Sequence, residues 1–200
     1  MQMAMRRLVD WMLEQPVVYT RWQAPFVSSK FAPVERALAD FNVRRVLDVG
    51  CGPGTNARRF VAAEYVGVDI NNRYLQIARR KYPGRFVEAD LATTDLTSFG
   101  TFDTILVNSF LHHLPDDAVR RVLRQLQRLL NADGRVHLLE LVLPERHSVP
   151  RLMAWLDRGR FARPLAAWRD LFEEHFEPVA IEPYFAAGLW SMIYYQGRTR

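Results

Sequence analysis

The chain has a single cysteine, Cys51, in 200 residues. One thiol cannot close a disulfide within the chain, and it cannot build a cysteine-rich zinc site. Lysine is nearly as scarce. Lys30 and Lys81 are the only two, so arginine carries almost all of the positive charge behind a formal net charge of +5. The arginines are scattered in pairs such as Arg44–Arg45, Arg58–Arg59 and Arg79–Arg80. Nucleic-acid binders gather their basic residues on one face or in one arm, so the scatter disfavours DNA and RNA. The charge suits an anionic small molecule, or loose peripheral contact with an anionic membrane. No apolar run approaches the ~20 residues that span a bilayer. Residues 1–14 are amphipathic and charged throughout, without the apolar core and small-residue cleavage site of a secretory signal. A cytoplasmic location is the expectation. Low-complexity tracts and solenoid repeats are absent as well.

What is present is an alternation of short apolar runs with helical periods. Residues 46–49, 65–69, 85–89, 102–107 and 135–143 are β-rich runs of the kind that are covered on both faces, as in a parallel sheet. Helices are expected over residues 55–63, 72–82 and 116–130. The last is the clearest, because Val119, Val122, Leu123, Leu126, Leu129 and Leu130 fall on one stripe. Pro115-Asp116-Asp117 starts it well, since acids favour the positive end of the helix dipole. Residues 131–134 should stop it and turn the chain into the fifth strand. Strands alternating with helices imply βαβ units in a doubly wound α/β sheet. Residues 178–185 and 189–197 flank a short Ala186-Ala187-Gly188 connection and read as a hairpin, so one of them must run antiparallel.

The segment Val46-Leu47-Asp48-Val49-Gly50-Cys51-Gly52-Pro53-Gly54-Thr55 is the most informative in the chain. It reads as strand, glycine turn, then helix, which is the context of a cofactor loop. Glycines there let a ligand approach the backbone. The spacing is G-x-G-x-G, and Thr55 stands where the dinucleotide fingerprint G-x-G-x-x-G places its last glycine. Asp48 lies just ahead of the first glycine. A carboxylate is badly placed against a pyrophosphate and well placed against an ammonium or sulfonium group. The loop therefore suits a cationic, phosphate-free nucleoside such as S-adenosylmethionine. Asp69 ends the second strand 21 residues after Asp48, where an acid accepts from both ribose hydroxyls. Asp90, after the third strand, is placed to accept from an adenine amine; an ordinary loop aspartate is the competing reading.

In order and spacing these elements resemble the class I S-adenosylmethionine-dependent methyltransferase family, over roughly residues 46–143. The resemblance implies a Rossmann-like sheet of seven strands in the order 3-2-1-4-5-7-6, with the last strand antiparallel and helices on both faces. It implies one domain over residues 1–200. A helical cap would occupy residues 1–41, the cofactor core 42–143, a helical insert or lid 144–176, and the terminal hairpin 177–200. It implies that Asp48 lies near the methionine moiety and that Gly50, Cys51, Gly52 and Gly54 line the loop. Asp69 would hold the ribose, Ile70 would pack on the adenine face, and Asp90 with the Leu91 backbone would read the adenine. Asn108 and Ser109 would floor the methionine end.

Methyl transfer needs alignment and electrostatics from the protein, no metal, and a base only if the nucleophile must lose a proton. His112, His113 and Glu140 are the base candidates, by their place at carboxyl ends of strands. A structural histidine and a strand glutamate paired with an arginine are the competing readings. His137 belongs within a strand, and His147 and His175 read as surface or packing residues. Cys51 is expected to be small rather than nucleophilic. Family members that methylate base amines carry Asn/Asp-Pro-Pro-Tyr/Phe after the fourth strand. Asn108-Ser109-Phe110-Leu111 stands there instead, which points to the broad small-molecule group.

The acceptor pocket is expected from two segments. One holds Trp11, Tyr19, Trp22, Phe26 and Phe31. The other holds Trp155, Phe161, Trp168 and Phe172 with Arg151, Arg158, Arg160, Arg163 and Arg169. Rings with arginines suit a flat or lipid-like acceptor bearing an acid group, although packing of the cap on the sheet is the better explanation for any single ring. The chain would act as a monomer or homodimer. The competing functions are an RNA methyltransferase, a nicotinamide-dependent oxidoreductase and a cofactor-binding subunit without catalysis.

Overall fold

The computed structural model describes residues 27–146, 148–156 and 160–200. The chain alternates α1 (Val27–Leu38), β1 (Arg45–Val49), β2 (Glu64–Asp69), α2 (Asn72–Lys81), β3 (Arg85–Glu88), β4 (Phe102–Asn108), α3 (Asp116–Leu129) and β5 (Leu130–Leu141). It then adds α4 (Val149–Leu156), α5 (Leu165–Glu173), β6 (Glu177–Ala186) and β7 (Trp190–Arg198). The seven strands form one sheet in the order β3-β2-β1-β4-β5-β7-β6. Pairings through β5 are parallel, and β7 runs antiparallel to both β5 and β6. The expected sheet order is the observed one.

Successive residues of β1, β4 and β5 serve opposite faces, and both faces are covered. Leu47, Val49, Ile105, Val107 and Leu138 pack beneath α3 and α5. Val46, Leu106 and Leu139 pack beneath α1 and α2, against Phe31, Val34, Leu75 and Ala78. This is why the strands read as continuous apolar runs rather than as alternating ones. On α3 the expected stripe is buried from Val119 to Leu129. Asn71 caps α2, its side chain accepting from the Arg73 and Tyr74 amides.

Two expectations need correction. Residues 55–63 hold only a single 3-10 turn, Ala57–Arg59, closed by bonds from Ala57, Arg59, Phe60 and Ala63 to carbonyls three residues back. Asn56 and Phe60 turn inward here, and a nine-residue stretch pinned at both points does not repay helix nucleation. The other concerns α3, which ends at Leu129: Leu130 is already extended and pairs with Phe102. Residues 131–134 therefore belong to an irregular start of β5, with a register shift opposite residues 102–104. No helix among the described residues is long and apolar enough to cross a membrane.

Candidate active site

The carboxyl ends of β1, β2 and β4 meet around the glycine loop. The Asp48 side chain is buried at the end of β1. Its Oδ2 accepts from the Tyr65 hydroxyl and from Asn56 Nδ2 (3.1 Å), while its Oδ1 is buried and meets no donor among the described residues. Burial pushes this carboxyl up to about 7; the Tyr65 and Asn56 hydrogen bonds pull the other way, and the nearby Asp69 charge adds to the rise. A half-satisfied buried carboxylate is costly unless a cation completes it.

The loop itself is held by strand β2. The Gly50 and Cys51 amides both donate to the Val68 carbonyl, at 2.8 and 3.1 Å. Gly50 and Gly54 have φ of +69° and +77°, a region that side chains rarely enter. A Cβ on Gly50 would sit 2.7 Å from the Phe110 ring, and one on Gly54 2.7 Å from Ala78 Cβ. Gly54 thus seats the loop closely on α2. The Cys51 thiol is buried against Gly67, and burial drives its pKa far up.

Asp69 does more than end β2. Its Oδ2 accepts from the Gly52 amide and its Oδ1 from the Asn71 amide, both at 2.8 Å. Burial raises its pKa against those backbone bonds. A carboxylate has about four acceptor positions, so acceptor capacity remains after the loop is pinned. Ile70 follows with 66% of its surface exposed. Asp90 is exposed, and its Oδ1 accepts from the Ala92 amide at 2.9 Å. Leu91 is buried, with its carbonyl taken by Gln125 Nε2 at 3.1 Å. Ser109 holds a left-handed φ of +55°, its amide donates to the Leu139 carbonyl (2.8 Å), and its hydroxyl donates to Asn108 Oδ1 (3.3 Å).

The base candidates separate. Glu140 is fully buried: Oε1 accepts from the Phe110 and Leu111 amides at 2.9 and 2.6 Å, and Oε2 lies 2.6 Å from His112 Nδ1. His112 is buried with it. Both groups hold the loop after β4 and are closed off from solvent. His113 is exposed on the 3-10 turn Leu111–His113, with its ring 4.3 Å from that of His112. His137 lies inside the sheet with Nδ1 2.9 Å from the Tyr194 hydroxyl, and burial lowers its pKa to about 3.

Residues 46–134 match the family model of a methyltransferase domain. An uncharacterized methyltransferase of Mycobacterium tuberculosis is 32% identical over 153 residues, covering 74% of each chain. The chain is a class I S-adenosylmethionine-dependent methyltransferase. Trans-aconitate 2-methyltransferase of Delftia acidovorans is 27% identical over 94% of this methyltransferase and 74% of its own length. The fold is also that of a TehB-like methyltransferase from Corynebacterium glutamicum, at a TM-score of 0.63 and 18% identity over 88% of this chain and all (100%) of that one. The nicotinamide-dependent reading ends with the family assignment.

In the insert of this methyltransferase, several of the rings and arginines expected to line an acceptor pocket are engaged in packing or ion pairs. Trp168 and Phe172 are fully buried in the core under α3. Arg151 donates to the Pro144 carbonyl, and Arg169 pairs with Glu173 at 3.3 Å. Arg163 is buried and pairs with Asp116 at 2.7 Å. Phe31 is likewise core, edge-on to Phe60 at 6.3 Å. Phe161, 39% exposed, and Arg160 remain open. Trp11, Tyr19, Trp22, Phe26, His147 and Arg158, and the side chain of Trp155, lie outside the described residues. Sequence reading missed Tyr65 and Asn56 as partners of Asp48. Tyr65 stands three residues before Val68, the loop's β2 anchor, but pairing across strands leaves no local signature.

Proposed function

We propose that this methyltransferase transfers a methyl group from S-adenosylmethionine to a small, anionic acceptor, with a carboxylate oxygen as the nucleophile. The observation that carries the cofactor half is the buried Asp48 carboxylate, with one oxygen satisfied by Tyr65 and Asn56 and the other waiting for a cation. Asp48 would receive the ammonium end, Asp69 the ribose diol and Ile70 the adenine face, with Asn108 and Ser109 beneath the methionine. When bound, the cofactor supplies an electrophilic sulfonium methyl and leaves as a neutral thioether.

The acceptor half is supported by what the site withholds. Glu140 and His112 are sealed and engaged with each other, leaving His113 as the exposed candidate base. A carboxylate is already ionised at neutral pH, so it needs no base: its oxygen bonds to the methyl carbon as the carbon–sulfur bond breaks, and no proton moves. Two related curated proteins act on trans-aconitate by name, from Delftia acidovorans and Escherichia coli.

Calorimetry with S-adenosylhomocysteine tests the cofactor half, and absence of binding would sink it. Incubation with S-adenosylmethionine and a panel of small di- and tricarboxylates, read by mass spectrometry for methyl esters, tests the acceptor. Methylation confined to amine or phenol acceptors would overturn the carboxylate assignment, and dependence of any such activity on His113 would restore a base.

A further inference from the structure

Two buried charges of opposite sign grip the loop between β4 and α3. From the sheet, Glu140 takes the Phe110 and Leu111 amides and the His112 ring. From the insert, the Arg163 guanidinium donates into the same loop. Nη2 bonds the Leu114 carbonyl (2.7 Å), and Nε and Nη2 bond Asp116 (2.8 and 2.7 Å). Nη1 bonds the Phe161 carbonyl (2.8 Å) and reaches the Leu111 carbonyl at 3.5 Å. All five N–H groups are aimed at acceptors, a planar fork that a lysine ammonium with three donors cannot reproduce.

Leu111 is shared, its amide held by the carboxylate and its carbonyl facing the guanidinium. Backbone bonds complete the seam: Phe161 N–H donates to the His112 carbonyl (3.0 Å) and Leu143 N–H to the Arg163 carbonyl (2.8 Å). Trp168 lies under the guanidinium at 4.6 Å. At its other end the loop meets the cofactor loop directly, because the Phe110 ring fills the space a Cβ on Gly50 would need. A continuous contact therefore runs from Gly50 through Phe110 and Leu111 to Arg163 and the insert. Buried charges are tolerated where hydrogen bonds satisfy them, and they fix one geometry when satisfied.

We infer that Arg163 is a positioning residue that couples occupancy of the cofactor loop to the order of the seam at Leu143 and Phe161. This rests on the cofactor reading above. The test is amide hydrogen exchange by NMR on the full chain, with and without S-adenosylhomocysteine. Binding slows exchange at the Phe161 and Leu143 amides by roughly threefold or more. In Arg163→Lys that slowing disappears, and affinity for S-adenosylhomocysteine falls by no more than the same factor, as linkage requires. A merely structural arginine would speed exchange equally in both states and leave the ligand-induced ratio intact, which overturns the inference. So does a wild-type protein that binds S-adenosylhomocysteine without protecting the seam. A wild-type protein that does not bind it in calorimetry overturns the cofactor reading as well. If Arg163→Lys fails to fold by circular dichroism, Asp116→Asn takes its place, because Asp116 is largely exposed. That variant removes the charged end of the fork and should reduce the ratio, and an unchanged ratio refutes the coupling.

Discussion

Asp48 sets the pH behaviour expected of the enzyme. Its folded-state pKa, raised to about 7, lies above the ordinary aspartate value, so the folded chain holds this proton more tightly than the unfolded chain. The group's contribution to stability is then complete below the unfolded pKa and is lost as pH climbs to the folded one. The ligand-free protein should lose stability between about pH 4 and about pH 7 from this residue, and Asp48→Asn should flatten that decline in urea melts. Cofactor affinity runs the other way, because the ammonium requires the ionised carboxylate. Affinity for S-adenosylhomocysteine should rise roughly tenfold per pH unit below the Asp48 pKa and level off above it. Calorimetry across that range reads the slope directly, and a slope that survives in Asp48→Asn would belong to another group. Asp69→Ala should weaken the same affinity by about 1–3 kcal/mol through unpaired ribose hydroxyls. Asp69→Asn, which keeps one acceptor oxygen, should lose less. Both acids were legible from their places beside a glycine turn and a strand end. The burial that makes Asp48 titrate high was not, and neither were Tyr65 and Asn56, which oppose that rise and reach it only through the β1–β2 pairing and an inward turn.

Elements were legible where their pattern was long and their burial one-sided. α3 shows this best, with Val119, Val122, Leu123 and Leu126 fully or almost fully buried on the expected stripe. Leu123→Ala should cost about 2–5 kcal/mol in chemical denaturation, and a cost within error would mean the stripe is not the core contact. Residues 55–63 misled because glycine loops of this kind are usually followed by a helix, whereas here Asn56 is diverted to Asp48 and Phe60 to the core. The start of β5 misled for a different reason. Asn131-Ala132-Asp133-Gly134 has turn composition, but pairing of Leu130 with Phe102 draws the chain into the sheet before the turn residues are reached. Arg163 illustrates the same limit. Arginine in an aromatic insert looks like a ligand contact until tertiary structure supplies Asp116 and two loop carbonyls as its partners.

Across the whole molecule the formal charge of +5 overstates the attraction for a polyanion. Eight arginines are ion-paired within the described residues: Arg36, Arg45, Arg59, Arg120, Arg121, Arg163, Arg169 and Arg198. These pairs are spread over the helices of both faces, the β1–β2 pair and the β6 edge of the sheet, so positive charge is balanced locally instead of gathering into a stripe. The densest basic run, Arg79-Arg80-Lys81 at the end of α2, diverts Arg79 to the Phe86 carbonyl at 2.8 Å. Exposed pairs add little stability, yet they remove the cations that phosphate contacts would use. The methyltransferase should therefore show no saturable binding to bulk transfer RNA at about 150 mM salt, where weak phosphate contacts are screened. Fluorescence anisotropy over a salt series measures this. A steep, linear dependence of log affinity on log salt would require several phosphates bound together, and it would move the acceptor from small carboxylates to RNA. The opposite response is expected from a small anionic acceptor, for which one or two charges are engaged and salt changes affinity only slightly.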